Sequence, residues 1–247
     1  MPVPLPKRSH LKLTSTPFLA RLRLEKANII PTVLDPFTPL LTLNVTWKKA
    51  TADLGNRIKP KKAKKQPSVT LFDIVPSSST NNGEGPFKPL DDKIQLTIAL
   101  TDPDAPSRED PEWSQICHWI ATDVKLSPVA SDDSKANTDD DDDDEDDESS
   151  APSSLTEIMP YKPPGPPPKT GSHRYVFVAL APLNGTTETL HLSVPKDRKR
   201  WGFEGERAGL REWAGENGLG VVGMFFFFCS FCLTRVIEFG LFMRLNR

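Results

Sequence analysis

The chain has 247 residues, a formal net charge of −2, 37% hydrophobic residues and 25 prolines. That length suits one domain with extensions, and enough apolar runs remain for a single core, which excludes a wholly disordered chain. Three cysteines, Cys117, Cys229 and Cys232, exclude a disulfide framework.

Charge is spread unevenly. Lys59, Lys61, Lys62, Lys64 and Lys65 form a basic block, and an unbroken acidic run extends from Asp139 to Glu148. Each repels itself and favours a solvated state. The overall balance therefore says little about partners, and no nucleic-acid partner is expected.

Residues 1–14 are expected to be a flexible N-terminus. The first 30 residues lack the apolar stretch and small-residue cleavage site of a secretory signal. Lys7, Arg8, Lys12, Arg21 and Arg23, with no acid before Glu25, give a weak likeness to a mitochondrial presequence. Cytoplasmic placement is expected, mitochondrial placement being the alternative.

Thr16 to Ala27 reads as a short helix, with Ser15 or Thr16 as a cap, Pro17 in its first turn and Phe18, Leu19, Leu22 and Leu24 as an approximate stripe. Leu40 to Trp47 alternates partly and reads as a strand. Val69 to Val75 and Ile94 to Thr101 follow as strands, separated by a Ser/Asn/Gly-rich loop near Ser77 to Gly85. Cys117 to Val124 is the next. Residues 127–154 are almost without apolar side chains, cannot offset their ordering entropy and are expected to be disordered. Tyr175 to Ala181 and Glu188 to Val194 read as further strands, Glu204 to Asn217 as a late helix, and Val221 to Phe228 as a buried final strand. The core is therefore expected to be mainly β.

Two segments stand apart. One is Asp102-Pro103-Asp104-Ala105-Pro106-Ser107-Arg108, with His118-Trp119 downstream; the other runs from Gly165-Pro166-Pro167-Pro168 through Gly171-Ser172-His173-Arg174-Tyr175. Both set prolines and a carboxylate or imidazole beside a strand. Prolines make stiff loops with little conformational freedom to lose on binding.

These two runs resemble the signature motifs of the phosphatidylethanolamine-binding protein family. Ile29-Ile30-Pro31-Thr32-Val33-Leu34 and Trp201-Gly202-Phe203 resemble its fungal branch, and the likeness extends from about Ile29 to about Gly223, interrupted by the acidic insertion. The resemblance implies a central antiparallel sheet packed on a smaller sheet, with peripheral helices. It implies that Asp102, His118 and His173 surround a ligand head group and that Pro106, Gly165, Pro166 and Tyr175 shape the walls. Trp113 falls where the family often has an aromatic residue.

The residues support the same chemistry. Two imidazoles converging on a small cavity favour an anion, and Asp102 can orient one of them or accept from an ammonium group. Asp104 and Arg108 are expected to be structural, fixing the loop by hydrogen bonds or an ion pair. The His spacing lacks a helical His-x-x-x-His and no general-base Glu accompanies it, so no metal is expected. Nor is there a Gly-x-Ser-x-Gly elbow. No cofactor is expected, and the chain is not expected to be an enzyme.

The resemblance implies a binding module for phospholipid head groups or other phosphorylated small molecules that regulates a partner protein. Fungal relatives include inhibitors of a vacuolar serine carboxypeptidase, other relatives restrain protein kinases, and one is built into the mitochondrial ribosome. Serine carboxypeptidase inhibition is the expectation; a kinase-signalling or ribosomal role is the alternative.

The C-terminus departs from this pattern. Gly218 to Thr234 is an uncharged stretch of 17 residues, at the lower edge of a membrane span. Residues 224–247 are expected to be an atypical hydrophobic tail outside a domain of residues 15–223. A misannotated coding end is the favoured origin, against a membrane anchor or an extra core element.

Overall fold

The computed structural model describes residues 17–74, 90, 91, 93–127 and 155–231. The acidic run, the Ser77–Gly85 loop, residues 1–14 and residues 232–247 lie outside the described residues.

Helix α1 (Pro17–Lys26) opens the described chain and stops where Asn28 takes a φ of 53°. Leu24 is buried, while Leu22 of the expected stripe is 51% exposed. The strands follow as β1 (Leu41–Trp47), β2 (Ala50–Thr51), β3 (Ser68–Asp73), β4 (Leu96–Asp102), β5 (Ile116–Val124), β6 (Thr156–Met159) and β7 (Ser172–Pro182). Helix α2 (Leu210–Glu216) and strand β8 (Leu219–Ser230) complete the chain order.

The fold is mainly β. Five strands form an antiparallel sheet in the order β6-β5-β4-β7-β8, and a smaller antiparallel sheet has the order β2-β1-β3. Side chains alternate across a strand, so strands β4, β5, β7 and β8 of the large sheet each feed two cores. Leu96, Ile98 and Leu100 of β4 join Tyr175, Phe177 and Ala179 of β7 against Leu41, Leu43, Val45 and Leu71 of the small sheet. The intervening Ala99, Val176, Val178 and Leu180 face Ile29, Val33, Trp201, Leu210 and Trp213 on the other side. Burial on both faces explains why β7 reads as an almost unbroken apolar run.

Three sequence expectations need correction. Residues 188–194 are irregular, because side chains replace a strand neighbour: Leu190 N donates to Gln95 Oε1 at 2.7 Å and Ser193 N to Asn217 Oδ1 at 2.7 Å. The late helix starts at Leu210 rather than Glu204, since Gly205 and Arg207 take φ values of 103° and 58°.

The third correction concerns the tail. Strand β8 runs on to Ser230, and its residues 224–230 pair with β7 in continuous register from Val178↔Met224 to Ser172↔Ser230. Phe226, Phe227 and Cys229 are buried, and Phe227 packs on Trp47 and Tyr175 at 5.5 and 5.4 Å between ring centres. Residues 224–230 are therefore a core element, and Gly223 is not a boundary. It is a close approach: a Cβ there would sit 2.8 Å from the Leu41 carbonyl oxygen. Among the described residues no helix is long and apolar enough to cross a membrane.

The lysine block sits on a single 3-10 turn, Pro60–Ala63, and its flank. Ala63 is buried beneath it, and Tyr161 Oη donates to the Ala63 carbonyl at 2.8 Å while all five lysines stay exposed.

Candidate functional site

The order β5-β4-β7 brings both proline-rich motifs to one end of the large sheet. Asp102 closes β4, and its antiparallel neighbours β5 and β7 both begin at that end. His118 is the third residue of β5 and His173 the second of β7.

His118 owes its direction to a β-bulge. Leu100 pairs with Trp119 and Thr101 with Cys117, so His118 is an extra residue without a partner on β4. A bulge re-aims side chains: Trp119 packs toward the small sheet, Cys117 toward the helical side. His118 Nδ1 lies 2.7 Å from the Lys162 carbonyl oxygen, which only accepts, so Nδ1 carries the hydrogen. Burial lowers the His118 pKa, outweighing the opposing pull of the Asp102 charge and the Lys162 carbonyl. The ring is neutral, and Nε2 holds a lone pair.

His173 is the opposite case. Its Nδ1 stands 2.9 Å from Asp102 Oδ2, and its Nε2 stands 2.9 Å from Thr170 Oγ1. Thr170 spends its own hydroxyl hydrogen on the Pro167 carbonyl at 2.8 Å. With that hydrogen on Pro167, both ring nitrogens donate, an arrangement that favours the protonated ring. Burial by itself lowers its pKa, but the Asp102 hydrogen bond and charge, the Asp104 charge and the Pro106 backbone together raise it. Asp102 also accepts from the Asp104 amide at 2.8 Å, so it orients His173 directly.

Beneath this pair lies a buried ion pair absent from the sequence reading. Asp104 pairs with Arg174 rather than with the exposed Arg108: Oδ2 accepts from Arg174 Nε at 2.9 Å and from its amide at 2.8 Å, and Oδ1 meets Nη2. Nη1 of the same guanidinium donates to the carbonyls of Ala27 and Asn28 at 2.8 and 2.7 Å. One arginine thus ties both motifs to the end of α1. Arg174 stood inside the second motif, yet adjacency to His173 was the only signal, and it does not reveal a partner 70 residues away.

Tyr175 leans edge-on to His118 at 5.1 Å, and its Oη accepts from the Gly165 amide at 3.2 Å. Burial, then the Asp102 charge, push the Tyr175 phenol well above its ordinary pKa. Pro166 is buried and Pro106 half-buried. Trp113 is set apart: it is 36% exposed, its amide donates to the Ala105 carbonyl at 3.0 Å, and its ring lies 4.2 Å from Lys199 Nζ.

In sequence Cys229 counted only among three cysteines that exclude a disulfide framework. It pairs with His173 across β7 and β8, and burial with the nearby Asp102 charge pushes its thiol up to about 12. Arg198, outside both motifs, braces the site by donating to the carbonyls of Cys117, His118 and Pro160 at 3.0, 3.2 and 2.8 Å.

One imidazole whose pKa is raised, a second whose pKa is lowered, and a phenol make a cluster with the chemistry to bind a small anion. Asp102 adds a negative edge suited to an attached ammonium group.

Comparison with known proteins gives this arrangement its context. Residues 48–227 match the family described as "Phosphatidylethanolamine-binding protein", so the likeness runs past Gly223 into β8. The chain is 30% identical over 195 residues to the carboxypeptidase Y inhibitor of Saccharomyces cerevisiae, covering 78% of this chain and 86% of that one. The solved structure of a carboxypeptidase Y inhibitor complexed with its cognate proteinase superposes with a TM-score of 0.64 at 26% identity, covering 86% of this chain and 95% of the other. A phosphatidylethanolamine-binding protein from Plasmodium vivax shares the fold, with a TM-score of 0.56 at 16% identity over 85% and 96% of the two chains. With the family match spanning most of its length, this chain belongs to the phosphatidylethanolamine-binding protein family.

Proposed function

We propose that this chain is a non-catalytic regulator that inhibits a serine carboxypeptidase and carries a site for a phosphorylated head group. The first half rests on the likeness to the yeast inhibitor, which covers most of both chains. The second rests on one observation: Asp102 bonds His173 at 2.9 Å, and His118, which feels the Asp102 charge, stands at the same end of the sheet.

Adding the full-length chain to carboxypeptidase Y is expected to abolish hydrolysis of a peptide substrate once the two proteins are equimolar. Full activity at a large excess of the chain would refute the inhibitor half of the reading.

The site half predicts a pH dependence with a definite sign. His118 is neutral when free because burial lowers its pKa, and a bound phosphate raises it again by placing negative charge beside Nε2. Binding therefore takes up one proton. Affinity for phosphorylethanolamine is expected to fall as pH rises between the free and bound pKa values, by up to about tenfold per pH unit. Below about pH 6 the phosphate itself gains a proton and the trend weakens. Calorimetric titration from pH 6 to 8 checks this, and affinity independent of pH would argue against His118 as a ligand contact.

A further inference from the structure

The loop between the second motif's prolines and β7 holds a hydroxyl against His173. Lys169 and Gly171 both take left-handed φ values, 68° and 81°, so the chain folds back tightly on either side of Thr170. The turn closes through Thr170 N to the Pro167 carbonyl at 3.4 Å and Thr170 Oγ1 to the same carbonyl at 2.8 Å. This leaves one Oγ1 lone pair aimed at His173 Nε2.

Thr170 is half-exposed between the exposed Lys169 and Gly171, whereas His173 is only 1% exposed. Thr170 therefore lies nearer to solvent than the imidazole it bonds. We infer that Thr170 is a specificity-determining residue: its hydroxyl is a built-in occupant of the anion position at His173, and only a ligand oxygen that outcompetes it is admitted. This rests on the head-group reading above.

The chemical consequence is selection by charge. A neutral hydroxyl and an anionic oxygen compete for the same N–H, and only the anion adds the Coulombic attraction between opposite charges. A phosphate monoester therefore displaces Thr170. An alcohol or amide, itself a neutral acceptor, gains nothing by doing so. The branched Thr side chain has few χ1 states, so displacement is a discrete rotamer change with the methyl group moving as the hydroxyl leaves.

The test compares full-length wild type with Thr170→Ala and Thr170→Ser by calorimetric titration with phosphorylethanolamine. Thr170→Ala leaves the buried His173 N–H without its internal acceptor, and its affinity is expected to rise about tenfold. Thr170→Ser keeps the hydroxyl and is expected to stay within about twofold of wild type. Affinity of Thr170→Ala equal to or weaker than wild type, with wild type binding normally, would overturn the role of Thr170 and leave the site standing. Absence of binding by wild type and both variants would instead remove the head-group reading, and the inference with it.

Discussion

A chain ending at Gly223 will not fold. The cut removes residues 224–230 of β8, every one of which pairs with β7, and with them the buried Phe226 and Phe227. Deleting one buried Phe side chain costs about 3–5 kcal/mol, and two such losses rival the whole stability of a domain, about 5–15 kcal/mol. Removal also strips one edge of β7, leaving unpaired N–H and C=O groups beside an exposed apolar face. Circular dichroism and proton NMR of the truncated and full-length chains check this. A cooperative unfolding transition and dispersed spectrum for the truncated chain would contradict a structural β8.

Asp104→Ala destabilises the fold by about 3–5 kcal/mol, the usual cost of removing one partner from a buried ion pair. Asp104 and Arg174 are 0% and 1% exposed, so the abandoned guanidinium has no route to bulk water. The damage spreads, because Arg174 also holds the carbonyls of Ala27 and Asn28 and so the anchorage of α1. Urea unfolding measures the effect. A loss under about 1 kcal/mol, the range of exposed pairs, would show that this pair is not the buried clamp described above.

Much of the fold was legible because the large sheet is buried on both faces. Strands β4, β5 and β7 are buried at nearly every position and mostly apolar, and each was read within a few residues of its bounds. The same property blurred the end of β8: Val221 to Phe228 reads as a strand, yet residues from 224 onward also read as a tail. Four consecutive phenylalanines, Phe225 to Phe228, show no period, and periodicity cannot tell a strand buried on both sides from another apolar run. Residues 188–194 failed for the reverse reason. Their pattern suits a strand, but the amides are satisfied by Gln95 and Asn217, residues distant in sequence.

The candidate site divides in the same way. Asp102, His118 and His173 could be named from their motifs, and the sheet order explains why they meet. Their protonation states could not be named. These depend on the bulge at His118, the Lys162 carbonyl behind it and the hydrogen that Thr170 gives to Pro167. Each is a backbone or loop geometry that residue types do not encode locally.

Imidazole nitrogen chemical shifts, recorded at pH 7 with and without phosphorylethanolamine, report those states directly. Expected are a His173 protonated on both nitrogens throughout and a His118 that carries only its Nδ1 hydrogen when free and gains a second on Nε2 when ligand is added. A His173 that is neutral in the free protein, or a His118 unmoved by saturating ligand, would contradict the division of charge on which the anion site depends.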